Sequence, residues 1–440
     1  MNRSPISPVI TRRRLLKATA LAIPSVVSAR ALGLAGNVAA SERIVMGSIG
    51  TGGQGRGLLN GWLGFSDVQV VAVCDVEERH REQAREMVDS RYGNKDCATF
   101  KDFRELLDRK QIDAVCVATP DHWHALASVA AANAGKDVYC EKPLANSIGE
   151  GRAIADAVKR NARILQTGSH ERSGANARFA CELVRNGRIG KLHTVRVNLP
   201  CSDDHHQQAR MLREVPAAAP VPAGFDYDFW LGHTPEAPYN SRRCHFWWRF
   251  VLAYGGGEMT DRGAHVIDIG QLGMNADDTG PVEIKASGTV TQGSLYDAFW
   301  DYEFENRYAN GVRLLGSSQG PRGVKFEGSD GSIFVHIHGG KLEAEPASLL
   351  QQSLGADDIK LGRSPGHQRN FLDCVKSREQ PVANAEAGHR TASVCHLNNI
   401  AMRLGRTLRW DPVKEQFLDD KEANALVTPV MRAPWSLGVS

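Results

Sequence analysis

No acid occurs among the first forty residues, no Cys-x-x-Cys pair occurs anywhere, and no segment repeats with a fixed period. Each absence removes a class of protein. Nine cysteines, an odd number without metal-type or redox-type spacing, argue against a zinc module or a thiol–disulfide exchanger and read as buried core fillers. Without a repeat of 20 to 50 residues the chain is no solenoid or propeller. The longest weakly apolar stretch near the start, Ala18 to Ala29, falls well short of the ~20 residues that span a bilayer.

What is present is ordinary for a water-soluble protein: 440 residues, 42% hydrophobic and 23% charged, a length that suggests two domains. The net charge of +3 conceals an asymmetry. Arg3, Arg12, Arg13, Arg14, Lys17 and Arg30 supply six cations in residues 1–40, so the remainder carries −3 once those six are subtracted. A mildly acidic body has no electrostatic footprint for nucleic acid, and none is expected as partner. Thr11-Arg12-Arg13-Arg14-Leu15-Leu16-Lys17, the apolar stretch after it, and small residues at Ala29–Ala31 and Val38–Ala40 make a twin-arginine export signal over residues 1–40. The signal implies the Tat translocase as partner and a periplasmic destination. The alternative is a basic start to an amphipathic helix.

From residue 41 to 168, β-branched runs alternate with helical stretches. Strands are expected at Arg43–Ile49, Val68–Cys74, Ala114–Ala118, Asp137–Cys140 and Ile164–Thr167. Helices are expected at Glu77–Tyr92, Phe103–Asp108, His122–Ala134 and Ile148–Arg160. This alternation predicts a parallel sheet covered on both faces. Gly50-Thr51-Gly52-Gly53-Gln54-Gly55 follows the first strand and opens a helix, the context in which G-x-G-x-x-G binds a dinucleotide. Asp75 ends the second strand, 20 residues after Gly55, where a carboxylate accepts from a ribose and repels a 2′-phosphate. NAD is therefore expected in preference to NADP.

Two further loops leave the carboxyl ends of strands, where ligands of such sheets sit: Ala118-Thr119-Pro120-Asp121-His122-Trp123-His124 and Glu141-Lys142-Pro143-Leu144. Later comes Gly257-Glu258-Met259-Thr260-Asp261-Arg262-Gly263-Ala264-His265-Val266-Ile267-Asp268. Together with the glycine loop these segments resemble the glucose–fructose oxidoreductase, inositol dehydrogenase and rhizopine-catabolism family (Gfo/Idh/MocA), from about Arg43 to Trp435. The resemblance implies a Rossmann domain plus a C-terminal α+β domain with a large open, mostly antiparallel sheet. It also implies hydride transfer between a sugar or polyol hydroxyl and a nicotinamide, with Lys142, Asp261 and His265 as the catalytic set. Neutral histidine suits the proton acceptor, and Lys142 suits stabilisation of the alkoxide, or proton relay if the nearby nicotinamide charge lowers its pKa. If residues 261–268 form one helix, Asp261, His265 and Asp268 share a face. Cofactor contacts are expected from Gly50, Gly52, Gly53, Gln54, Gly55, Asp75, Thr119, Pro120, His124, Glu141 and Lys142; His124 has helix capping as its alternative. No metal is expected.

Residues 169–440 change character. A helix at Asn176–Asn186 precedes strand candidates Leu192–Leu199, Val282–Val290, Trp300–Glu305, Val312–Ser318 and Ser332–His336. Relatives pair subunits through the wet face of such a sheet, so a homo-oligomer, dimer or tetramer, is expected. Pro200 to Gly257 is rich in aromatics, Arg and His, which suits either a carbohydrate pocket or an interface. His170, Arg172 and Arg178 are further candidates to reach substrate. A helix is expected at Cys395–Leu404, with the tail around Trp410 bracing the domains. Export without an obvious external nicotinamide pool favours a tightly held cofactor. It also keeps open a redox-neutral cycle: epimerisation, or glycosidic cleavage through a 3-keto sugar.

Overall fold

The computed structural model describes residues 38–438, so the arginine-rich leader through residue 37 lies outside the described residues. The described residues from 44 onward cluster as one compact unit. Its first layer is a six-stranded sheet of β1 (Ile44–Ile49), β2 (Val68–Cys74), β3 (Ala98–Phe100), β4 (Ala114–Val117), β5 (Asp137–Cys140) and β6 (Leu165–Thr167). The spatial order is β3-β2-β1-β4-β5-β6 and every pairing is parallel. That order, with a crossover at β1, is the Rossmann arrangement, which opens a ligand crevice at the carboxyl ends of β1 and β4. Helices α1 (Gly53–Leu63), α2 (Glu78–Tyr92), α3 (Phe103–Leu107), α4 (His124–Asn133) and α5 (Ile148–Arg160) cover it. With both faces covered, β4 and β5 are buried at every position, which is why β4 reads as a continuous apolar run and β5 as one after Asp137.

After α6 (Ala175–Arg185) come β7 (Leu192–Asn198), α7 (Asp204–Met211), α8 (Tyr227–Leu231), α9 (Glu258–Asp261) and α10 (Gly263–Met274). Strands β8 (Glu283–Thr289), β9 (Trp300–Arg307), β10 (Arg313–Ser317), β11 (Gly323–Gly328), β12 (Ser332–His336) and β13 (Leu342–Glu345) follow. Helices α11 (His367–Ser377) and α12 (Ala385–Leu404), then β14 (Leu408–Asp411), β15 (Gln416–Phe417) and α13 (Lys421–Asn424), complete the chain. The nine-stranded second sheet runs β13-β12-β11-β7-β10-β9-β8-β14-β15, antiparallel except for the β7–β10 pair. In β9 the aromatics Trp300, Tyr302 and Phe304 are buried while Asp301 and Glu303 are exposed, so period-two patterning places one face on the core and one in water.

Several connections tie the layers together. Helix α11 packs Phe371 and Leu372 against Trp62 and Tyr139 of the first layer, and Arg369 and Lys376 pair with Asp67. Near the C terminus Trp435 meets Trp123 edge-on at 4.9 Å. Trp410 itself packs on Phe417 and Ile284 within the second sheet, and the tail around it reaches the first layer: Glu415 pairs with Arg152 of α5 at 2.9 Å, and Gly149 N donates to Val427 O at 2.9 Å. All nine cysteines are buried free thiols.

Candidate active site

The turn from β1 into α1 shows what the glycines are for. Gly50 has φ +81°, and a Cβ there would lie 2.6 Å from the Thr119 nitrogen. At Gly55 a Cβ would lie 2.0 Å from the Gly50 carbonyl oxygen, so the helix could not approach its own loop. At Gly52 and Gly53, by contrast, a Cβ would meet nothing within 4 Å, because that side faces an open groove. Gly52 provides no side-chain cap, which leaves the first N–H groups of α1 pointing at the groove as free donors. Asp75 closes the other side. Its carboxylate accepts from the Thr51 and Glu77 nitrogens at 2.7 and 2.9 Å. Burial, which disfavours charge, is outweighed by these bonds and by His80, so Asp75 titrates below its ordinary range.

A groove of about 780 Å³ runs from this loop between the two sheets, lined by Thr119, Pro120, Glu141, Lys142, Asp261 and His265 among others. The Thr119 hydroxyl is buried without a partner on its wall. Gln54 reaches across to donate to Glu141 at 3.2 Å. Burial raises the Glu141 carboxyl above its ordinary pKa, and does so more strongly for Asp121. Free helical N–H groups, a carboxylate at the end of β2 and an orphaned hydroxyl between them fit a nicotinamide dinucleotide.

At the far end of the groove Lys142 Nζ donates to Asp261 Oδ1 at 2.5 Å and to the Asp261 carbonyl at 2.9 Å. Burial opposes the ammonium charge, but attraction to Asp261 outweighs it and raises the Lys142 pKa. The lysine is thereby held protonated, which suits stabilisation of an alkoxide. Arg249 Nε lies 3.6 Å from the other Asp261 oxygen, and its guanidinium stacks on Trp248 and Phe246. His265 is 5% exposed, with its Nδ1 buried and unpartnered. Burial and the Lys142 cation drive its pKa well down, so the ring is neutral.

The structure separates several residues that the sequence grouped. Asp261 ends α9 while His265 lies in α10, because the chain breaks at Arg262. Asp268 points away, buried against Arg172 at 2.8 Å and Thr391 at 2.9 Å. Arg172 is thereby committed to the core, and Arg178 to Glu182 at 3.1 Å. His124 does not face the groove either. Its ring nitrogens face the carbonyls of Pro143 (2.7 Å) and Thr119 (3.1 Å), so it braces the two loops from behind. His170 does line the groove, its ring 4.7 Å from that of His265. Asp121 and Arg249, from the loop and the aromatic segment expected at the crevice, also line it, as do His338, 4.7 Å from His265, and Arg322, which nothing in the sequence singled out.

A Rossmann sheet whose glycine loop shares a groove with a buried lysine, carboxylate and neutral imidazole defines a dinucleotide-binding protein of the two-domain oxidoreductase type. The chain belongs to the GFO/IDH/MocA family. A model described as oxidoreductase family, NAD-binding Rossmann fold, matches residues 44–169, and one described as its C-terminal alpha/beta domain matches residues 174–437. Among curated relatives, a myo-inositol 2-dehydrogenase of Thermotoga maritima is 33% identical over 133 residues, 30% of this chain and 38% of that protein. A glycosyl hydrolase family 109 protein of Solibacter usitatus is 30% identical over 195 residues, 41% of this chain and 44% of that protein. The chain thus spans less than half the length of the curated relatives it matches. An aldose-aldose oxidoreductase from Caulobacter crescentus has the same fold, with a TM-score of 0.59 at 18% identity over 83% of this chain and 99% of that one. A levoglucosan dehydrogenase solved with NADH gives 0.58 at 19% identity, over 83% and 98%.

Proposed function

We propose that this protein is an exported oxidoreductase that moves a hydride between a ring hydroxyl of a sugar, polyol or glycoside and a nicotinamide cofactor it retains, NAD in preference to NADP. The observation that carries the proposal is the Lys142–Asp261 pair at 2.5 Å on the groove wall that also presents the buried, neutral His265. A bound nicotinamide supplies the two-electron acceptor or donor. His265, neutral, takes the hydroxyl proton through a ring nitrogen. The Lys142 ammonium stabilises the alkoxide that results, and Asp261 keeps that ammonium charged and aimed. Asp75 favours a free ribose over a phosphorylated one. Phe246, 41% exposed and lining the groove, offers an aromatic face for sugar C–H groups beside the Arg249 donors. Export through the twin-arginine route and assembly as a dimer or tetramer belong to the same proposal.

One observation favours a second reading, in which the cofactor is recycled without net redox change. The segment between β7 and α9 reaches over the end of β2: Glu78 N donates to Gly224 O at 2.8 Å and Asp226 N to Val76 O at 3.1 Å. Glu77 and Phe225 form a β-bridge there, and Lys101 pairs with Asp226 at 2.8 Å. A strap at the Asp75 end of the groove suits a cofactor kept through many turnovers. The similarity to the family 109 glycosyl hydrolase supports glycosidic cleavage as the net reaction. The absorbance of the purified protein, recorded before and after addition of free sugars and glycosides, tests both readings. Accumulating reduced nicotinamide supports the dehydrogenase, and product release without it supports the neutral cycle. Protein that purifies without nicotinamide and needs added NAD for each turnover refutes retention.

A further inference from the structure

The strap carries a second cluster, away from the reacting side chains. Glu77 follows β2, His80 sits in the first turn of α2, and His245 comes from the segment between β7 and α9. Each offers one ligand atom, and the three atoms lie within 4.8 Å of one another. Glu77 Oε1 is engaged by Arg79 Nε at 3.0 Å. Its Oε2 stands 3.4 Å from His80 Nδ1 and 3.6 Å from His245 Nδ1, and is buried with no hydrogen-bond partner. Charge-assisted N–H···O bonds run at about 2.7–2.9 Å, so neither contact is one. Ligands placed about 2.0–2.1 Å from a tetrahedral zinc ion are instead separated by roughly 3.4 Å. The separations found are those of atoms around a shared cation. Asp75 Oδ2, 3.8 Å from His80 Nδ1, adds negative charge at the edge.

We propose that Glu77, His80 and His245 form a divalent transition-metal site, with Zn²⁺ the best match to two imidazoles and one carboxylate, which clips the strap to the end of β2. All three line the groove, so a fourth position stays open to water or another oxygen ligand. Two other clusters have ligand atoms equally close, but each already holds a cation. Arg322 donates to His338 Nδ1 at 2.7 Å beside His170 and His265, and Arg262 pairs with Asp203 beside His205 and His206. In the Glu77 cluster Arg79 donates to Glu77 Oε1 and lies 3.5 Å from His80 Nε2, so Glu77 Oε2 and the two Nδ1 atoms are left facing one another. Its members come from two parts of the chain about 165 residues apart, so no local spacing announces it.

Untagged full-length protein is stripped with a chelator, dialysed and titrated with Zn²⁺ by calorimetry. One site per chain is expected, with Kd of about 1 μM or tighter. His245→Asn is expected to weaken it at least 100-fold, since loss even of a supporting partner costs ~10–100-fold. Asparagine tolerates the left-handed backbone at this position, φ +59°, so the variant keeps its fold by circular dichroism. Glu77→Gln is expected to show the same loss, and His338→Ala none. Amides of residues 240–250 are expected to exchange more slowly with Zn²⁺ bound. No binding, unchanged affinity in His245→Asn and Glu77→Gln, or a loss confined to His338→Ala each overturns the proposal. This test reads metal affinity alone, so its failure leaves the proposed redox function standing.

Discussion

Replacing Lys142 by methionine keeps the volume of the side chain and removes its charge, and the structure sets the scale of the consequences. Lys142 makes two bonds to Asp261, at 2.5 and 2.9 Å. At an effective dielectric near 20, unit charges 2.5 Å apart attract by about 6.6 kcal/mol and charges 3.6 Å apart by about 4.6 kcal/mol, before desolvation. Arg249, at 3.6 Å, therefore retains a large part of the compensation for Asp261 once the lysine is gone. The folding penalty should fall at or below the lower end of the ~3–5 kcal/mol seen when a buried charge loses its partner. Chemistry should suffer more than folding, because nothing replaces the donor aimed at the alkoxide. Loss of one preorganised donor of this kind lowers turnover about 10²–10³-fold, or ~2.7–4 kcal/mol.

The assay is single-turnover formation of reduced nicotinamide with saturating sugar, alongside cofactor content and a urea unfolding curve. Lys142→Met should keep its cofactor and unfold cooperatively while turnover collapses. Lys142→Arg should recover only part of the rate, because a planar guanidinium does not occupy the position of a compact ammonium. The double variant Lys142→Met/His265→Ala should be little slower than the worse single, as for groups acting in one step. A Lys142→Met enzyme within threefold of the parent rate would remove the proposed alkoxide-stabilising role.

Gly53→Ala should fold normally, since its Cβ meets nothing within 4 Å, yet weaken NAD binding tenfold or more by intruding on the groove; Gly55→Ala, with a Cβ 2.0 Å from the Gly50 oxygen, should lose stability as well, and equal melting temperatures for the pair would refute this. Arg172→Leu strands the buried Asp268, which then keeps only Thr391, and should cost about 3–5 kcal/mol in urea unfolding without altering substrate affinity. Burial depresses His122, His124 and His367 to about 3, 4 and 4 from 6.5, so below pH 6.5 the unfolded chain binds protons that the folded chain refuses. Stability is then lost as pH falls, about 1.8 kcal/mol per histidine between pH 7 and 5. Asp121 and Glu141, raised by burial, offset part of that loss, and stability that does not decline over this interval would contradict the assignment.

The first layer was legible because its strands are short, apolar and bounded by helical stretches: Val68–Cys74 and Asp137–Cys140 lie where their composition puts them. β3 was missed, since three residues in a polar stretch carry no periodic signal. Helix α11 was missed although Phe371, Leu372 and Cys374 give it an apolar side of its own, and its partner Trp62 lies over 300 positions earlier. The site shows the same division. Glycine spacing conveys backbone demands that are local, so Gly50 and Gly55 could be read directly. Side-chain direction is not local. A spacing of i, i+7 put Asp268 on one face with Asp261 only while the helix was taken as unbroken at Arg262, and the capture of Asp268 by Arg172 depends on a contact across 96 positions. His338 reaches His265 from a hairpin that no motif marks.

The cysteines join this structure to the proposed route of export. Burial raises the Cys97, Cys116 and Cys201 thiols to about 12, and the others upward as well, so none exists appreciably as the reactive thiolate at neutral pH. That protection exists only after folding. A chain threaded unfolded into an oxidising compartment would expose nine unpaired thiols, and any pair that formed would have to be broken before Cys74, Cys116 and Cys140 could enter the core of the first layer. Folding first removes the hazard, and it also lets a cofactor be taken up before export. Moving the leader to a signal that exports unfolded chains should therefore yield protein low in nicotinamide and rich in non-native disulfides. Normal cofactor content and nine free thiols in that material would show that order of folding and export is immaterial.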